Sequence, residues 1–321
     1  MIQRTRTVLT VAAIALMAFP AWGQTSYPNR AIRMVAPFAP GGASDFIARM
    51  LAPKLSERLG QTVVVDNRSG AGGNIGFEIV VRAAPDGYTL MIASSSYATN
   101  AAVTRMAFDP IKDVTPISLV GVAPLVLVVH PAVAAQSIGE LVALAKAQPG
   151  RLKFGSSGTG AGPHLAGELF KVSAGINLLH IPYKGSGPAL IDTLSGQIEM
   201  TFISMLVVRA HINAGRLRLL GVGTPQRARA LPDVPAIAET LPGFETTSWY
   251  TVMGPARMPA TLVARWNTEV NALVNTPEIA DRLANDTVEP RALSPEATAK
   301  HVADEITRWK AVAQRAGVRL D

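Results

Sequence analysis

The chain has 321 residues, 48% hydrophobic and 17% charged, with a formal net charge of +7 and no cysteine. That length accommodates two α/β domains with cores of their own, and that balance excludes a disordered chain. The missing cysteine excludes disulfides and thiolate catalysis and leaves a metal site only His and carboxylate ligands.

Residues 1–23 read as a signal peptide. Arg4 and Arg6 form a positive start, Val8 to Phe19 is apolar but short for a membrane span, and Ala21-Trp22-Gly23 sets small residues at a cleavage site. The expectation is a soluble, exported, periplasmic protein. The five histidines (130, 164, 180, 211 and 301) show neither HxxxH nor HExxH spacing, so no metal is expected, and no cofactor. Lys and Arg are scattered rather than clustered, which gives no footprint for nucleic acid and suits a small anionic ligand.

From residue 30 to 122 strands alternate with helices. The strands are expected at Ile32–Ala36, Thr62–Asp66, Thr89–Ala93 and Ile117–Val122, the helices at Ser44–Leu59 and Ile75–Ala84. In the first helix Phe46, Ile47, Met50, Leu51, Leu55 and Leu59 recur at helical spacing. Pro53 falls inside that pattern and predicts a kink or an interruption, because it removes a donor and crowds the preceding turn. A second alternating block runs from Leu125 to Gly221. Its strands are Leu125–His130, Leu152–Phe154, Leu178–Ile181, Ile198–Phe202 and Leu217–Gly221, and its helices Ser137–Gln148, His164–Ala174, Pro188–Ser195 and Met205–Ala214. Ser137 and Glu140 have capping-box spacing. After a Pro-rich passage come an extended stretch, Ser248–Met253, and helices at Thr261–Asn275, Glu278–Asn285 and Pro295–Ala316. Alternation of this kind predicts α/β lobes with mainly parallel sheets flanked by helices, and ligands beyond the carboxyl ends of the strands.

Four loops fall at such strand ends. Pro37 to Asp45 breaks a strand and opens a helix, so the N–H groups of Ala43, Ser44 and Asp45, with Phe38 nearby, face an anion-binding corner. Ser94 to Tyr97 offers the hydroxyls of Ser95, Ser96 and Tyr97. Gly155 to His164 supplies Ser157, Gly158, Thr159, Gly160 and His164. It is not a Walker A loop, since no Lys follows the glycines, and Pro163 breaks GxGxxG. Tyr183 to Pro188 supplies Ser186. A fifth glycine loop, Gly70 to Gly76, misses the dinucleotide spacing and reads as a packing motif. No nucleophile–base pair is evident and the GxSxG elbow is absent, which weighs against an exported serine hydrolase.

Several passages in order resemble one family: Tyr27 to Arg30, Pro37 to Asp45, Leu59 to Arg68, Gly70 to Gly76, Pro85 to Leu90, Phe108 to Asp113, His180 to Gly185 and Glu305 to Trp309. The chain resembles the Bug family, periplasmic substrate-binding proteins of tripartite tricarboxylate transporters. The resemblance implies a two-lobed type II periplasmic binding fold, with lobe 1 from 24–124 plus 250–321 and lobe 2 from 125–249. It implies no catalysis, a small carboxylate ligand, integral membrane transporter subunits as partners, and a monomer. A ligand-presenting role for a sensor kinase is the alternative. The family's usual Asp after the Ile198–Phe202 strand is replaced by Ser204, and its usual Thr-His by Ser96-Tyr97. Loss of that acidic acceptor predicts preference for a di- or aromatic carboxylate over an amino acid, with Tyr97 as a hydrogen-bonding or stacking face.

Overall fold

The computed structural model describes residues 27–318; the expected signal peptide, residues 1–23, lies outside them. No helix among the described residues is long and apolar enough to cross a membrane. The first block contains β1 (Ile32–Ala36), α1 (Ala43–Leu59), β2 (Val63–Asn67), α2 (Asn74–Val81), β3 (Thr89–Ser94) and α3 (Ser96–Val103). Strands β2 and β3 flank β1, both parallel to it, as strand–helix–strand connections require. Helix α3 begins two residues after β3, where only a polar loop was expected.

Next comes β4 (Val114–Val129), one 16-residue strand where the sequence predicts two. It pairs antiparallel with β9 (Thr247–Pro255) as far as Pro124 opposite Thr247. From Leu125 it pairs antiparallel with β7 (Met200–Ser204) instead. Pro124 has no N–H to give a ladder, and it falls where β4 exchanges one partner for the other, so the strand continues through it. The other elements of this block are α4 (Ile138–Ala147), β5 (Lys153–Ser156), α5 (Gly162–Ala174), β6 (Leu179–Pro182), α6 (Ser186–Leu194), α7 (Met205–Asn213) and β8 (Arg218–Val222). Strand β5 is parallel to both β6 and β7, and β8 joins β4. After β9 the chain ends with α8 (Ala260–Val274), α9 (Pro277–Asn285), β10 (Glu289–Pro290) and α10 (Pro295–Ala316). The result is a two-lobed α/β fold whose parallel parts are joined through the antiparallel strands β4 and β9.

Each lobe buries a core on both faces of its sheet. Along β4, Leu125, Leu127 and Val129 enter a cluster with Phe154, Phe170, Phe202 and Phe244. The alternate residues Val126 and Val128 enter another, with Ile203 and Val208. That is the two-residue period of a strand covered on both faces. In the first lobe, Ile47, Leu51, Leu55 and Leu59 of α1 pack with Trp266 and Val270, while Trp249, Trp309 and Phe77 fill the opposite face.

Helix α1 is continuous through Pro53, so of the kink or interruption expected there the interruption does not occur. An interior proline costs about 3 kcal/mol. Burying the four apolar side chains of that face contributes about 1.5–3 kcal/mol each, which outweighs the proline.

Candidate functional site

Between the lobes lies a cavity of about 30 Å³. Half of its sixteen lining residues are serines: Ser44, Ser94, Ser95, Ser96, Ser157, Ser186, Ser204 and Ser248. The remainder are apolar residues, Gly42 and Tyr250, and among the described lining residues none is charged.

Five helices begin at this cavity. Gly42 to Ser44 start α1, Ser95 and Ser96 start α3, Pro163 lies in the first turn of α5, Ser186 starts α6, and Ser204 precedes α7. In none of the five does the N-cap residue's own side chain cap the helix. In α1 the first intrahelical bond runs from Phe46 N–H to Gly42 O, so the N–H groups of Ala43, Ser44 and Asp45 have no acceptor within the helix. Neutral donors and helix dipoles therefore converge from both lobes on one small space. That arrangement suits carboxylate oxygens, and no acidic group lines it to hold an ammonium.

The serines differ in what they already hold. Ser95 Oγ donates to Ser248 Oγ at 3.1 Å. Ser96 Oγ accepts from Gly162 N–H at 3.1 Å, a bond that joins the two lobes. Ser204 Oγ is buried and makes no hydrogen bond of normal geometry; its polar neighbour is the Tyr250 hydroxyl. Burial raises the pKa of Tyr250, while the adjacent hydroxyls of Ser204 and Ser248 pull it down.

Of the residues singled out from sequence, Phe38, Ala43, Ser44, Ser95, Ser96, Ser157, Ser186 and Ser204 line the cavity. Six others do not. Tyr97 is buried in the first lobe, its ring edge-on to Phe77 at 5.0 Å and its hydroxyl donating to Pro110 O at 2.8 Å. One residue into α3, it points into the core, so it presents no face to a ligand. Asp45 turns away to brace its own loop, accepting from Gly41 N–H at 3.1 Å, Arg49 Nε at 2.9 Å and Asn67 Nδ2 at 2.9 Å. Burial pushes its carboxyl up, but these partners outweigh that and hold it below the usual range. Gly158, Thr159 and Gly160 form the lip of the second lobe. A side chain at Gly72 would meet Thr159 O, one at Gly158 would meet Gly72, and one at Gly160 would meet Asn100. His164 Nδ1 accepts from Gly160 N–H at 3.2 Å and supports that lip from behind.

Sequence reading missed Ser94, Ser248, Tyr250 and Leu125. Ser94 ends β3, Ser248 and Tyr250 are alternate residues of the first half of β9, and Leu125 lies within β4 where that strand changes partner. A Ser-x-Tyr alternation in the extended stretch from Ser248 is the signal that marks them.

One serine–histidine pair does exist. Ser156 Oγ lies 2.7 Å from His180 Nε2. Ser156 is 1% exposed, however, and its hydroxyl also bonds the Gly158 backbone. The His180 ring stacks on His164 at 4.0 Å. Burial, with His164 adding to it, pushes His180 down to about 3. A base that weak, beside an inaccessible hydroxyl, positions the loop rather than activating a nucleophile.

At the opposite lip the lobes also touch. Ala39 N–H donates to Lys184 O at 2.9 Å, and a side chain at Gly187 would overlap the Pro40 carbonyl. A cleft closed at both lips over uncharged donors defines a two-lobed solute-binding protein. The comparisons place it further. A family model described as "Tripartite tricarboxylate transporter family receptor" matches residues 47–318, and the chain belongs to that family. It is 38% identical over 312 residues to Protein BugT of Bordetella pertussis, covering 96% of this chain and 95% of that protein. A solved R. palustris protein with adipate is 38% identical, with a TM-score of 0.88, covering 91% of this chain and 99% of that one. MatC from Rhodopseudomonas palustris with bound malate is 27% identical, with a TM-score of 0.85, covering 89% of this chain and 99% of that one.

Proposed function

We propose that this protein captures a small di- or aromatic carboxylate without an amino group in the periplasm and hands it to membrane subunits of a tripartite tricarboxylate-type transporter, without catalysis. The observation that carries this reading is the cavity lining: eight serines and five helix starts without an N-cap side chain of their own, with no charged side chain. Donors of both kinds bond an oxyanion more strongly than a neutral group, and nothing in the lining balances an α-ammonium. The adipate and malate held by the two R. palustris neighbours are carboxylates of this class. Membership of the transporter-receptor family supports the hand-over.

The moving parts are the two lobes, exchanging near Pro124 and Thr247, with β4 and β9 as the hinge. Closure brings Ser44, Ser95 and Ser96 against Ser157, Ser186 and Ser204. A thermal-shift screen tests the reading, because a ligand bound only by the native state raises Tm by mass action. Adipate, malate and benzoate are compared with glutamate and aspartate. A rise with one of the amine-free acids and none with the amino acids supports it; a larger rise with either amino acid refutes the preference.

A further inference from the structure

Behind the hinge is a second and larger cavity, of about 630 Å³. Val122, Ala123 and Pro124 of β4 and Thr247 of β9 line it, next to Leu125, Ser248 and Tyr250, which line the serine cleft. The two spaces therefore adjoin the same stretch of the two strands, where the chain passes between the lobes. The cavity's walls come from different lobes: Thr224, Ala228, Arg229 and Ala230 on one side, and Ala284, Thr287 and Val288 on the other.

Three features set this cavity apart from an incidental surface hollow. Thr287 and Thr224, one on each wall, both carry buried hydroxyls with no hydrogen-bond partner. Thr287 is 8% exposed and has φ 66, in the left-handed region. It ends α9 at a position that Gly normally takes, and a β-branched residue there is strained. Strain of this kind is held where the surroundings demand a particular side chain. The lining is otherwise mostly apolar. Its acidic residue, Glu289, is paired with Arg291 at 2.9 Å, which leaves Arg229 to set the local charge.

We propose that this cavity is a second ligand site, for a small molecule with an apolar body and one anionic group, and that its occupancy favours the closed cleft. The direction of coupling follows from the arrangement of the lobes. Here the cleft's lips touch, Ala39 N–H on Lys184 O and Gly162 N–H on Ser96 Oγ, and the cavity's two walls, one from each lobe, stand as that closed arrangement sets them. A molecule that fits between these walls therefore favours the closed arrangement. A molecule wedged between the back walls resists reopening, so it raises affinity at the front, and a front ligand raises affinity at the back by the same factor. The coupling rests on the front cleft being the carboxylate site; occupancy of the back cavity does not.

The probe is 8-anilinonaphthalene-1-sulfonate, an apolar anion too bulky for the serine cleft. Its fluorescence is titrated against the full chain, against Ala284→Trp and Ala230→Trp, which fill the cavity from opposite walls, and against Arg229→Ala. Saturable binding to the wild type is expected, lost in both Trp variants and weakened about fivefold in Arg229→Ala. Calorimetric titration with adipate is expected to show both Trp variants binding about fivefold tighter or more, since each is a built-in wedge. Equal dye binding by the wild type and both Trp variants overturns the site. Loss of dye binding with adipate affinity unchanged or weakened overturns the coupling. Dye binding lost in the Trp variants of a protein that takes up no adipate supports the site and refutes the front-cleft reading instead.

Discussion

Serine at a helix start does opposite things in two regions of this molecule. Away from the cleft, Ser137 accepts from Glu140 N–H to cap α4, and Ser294 accepts from Ala297 N–H to cap α10. At the cleft, Ser204 holds the same N-cap position before α7 with extended backbone at φ −74 and ψ 141, yet accepts nothing from its helix and has only the Tyr250 hydroxyl beside it, with no hydrogen bond of normal geometry. The remote serines use their hydroxyls to satisfy orphan N–H groups, which stabilises each helix by about 1 kcal/mol. At the cleft no helix start is capped by its own N-cap side chain, only that of α5 receives a serine hydroxyl, from Ser96 across the lobes, and spare hydroxyls lie beside the others. On the proposed function, that forgoes local stability in exchange for donors that are satisfied when an anion arrives.

Blocking closure gives the largest expected break in this contrast. Gly187→Val drives a side chain into the Pro40 carbonyl across the cleft. Adipate affinity by calorimetry is expected to fall at least about 50-fold, because the binding-competent closed state is depopulated. The ligand-free Tm should move by no more than about 2 °C, since the contact lies between lobes and not within a core.

Substitutions at Ser204 sharpen the contrast directly. Ser204→Asp places a carboxylate where a ligand oxygen would sit, and adipate affinity is expected to fall about 30-fold while glutamate binding rises. Ser204→Ala removes a hydroxyl that makes no hydrogen bond of normal geometry, so ligand-free stability should not fall, whereas adipate affinity should drop about fivefold. Ser137→Ala is the converse control: about 1 kcal/mol less stability and unchanged affinity.

The fold was largely legible in the chain, because strand and helix periods differ sharply and Pro and Gly mark the breaks between them. Strand β4 was less so: the sequence divides it into Ile117–Val122 and Leu125–His130, and only the change of partner at Pro124 shows why one strand runs through. Tyr97 shows the limit at the site. A Ser-Ser-Ser-Tyr run looks like a polar loop, but α3 starts inside it and turns the ring into the core. Asp45 was invisible for a different reason: Asn67 and Arg49, which claim its carboxylate, become its neighbours only through strand pairing and a helical turn. The backbone donors of Ala43 and Ser44 needed no such information, since any helix start supplies them.

A smaller effect concerns pH and the loop buttress. His180 is held at about 3 against an ordinary value of 6.5. The folded state favours its neutral form, so its contribution to stability is full above pH 6.5 and is lost as pH falls from there toward about 3. His180→Phe keeps a ring on His164 but removes the titration. Tm measured from pH 7 down to pH 4 should therefore fall less steeply for the variant than for the wild type. Smallest of all is Arg209→Ala. Arg209 of α7 pairs with Asp286 after α9 at 2.8 Å, joining the lobes, and is partly exposed. Its removal should weaken adipate binding by about twofold, within the range of a surface ion pair.

On the proposed function, an uncharged cleft of serines and helix starts selects an anion and has no means of holding an amine. Calorimetric titration of the wild type with adipate and then glutamate is the decisive comparison. A saturable one-to-one isotherm is expected for adipate and none for glutamate at the same concentrations. Glutamate binding as tight as adipate, or tighter, would refute that selectivity.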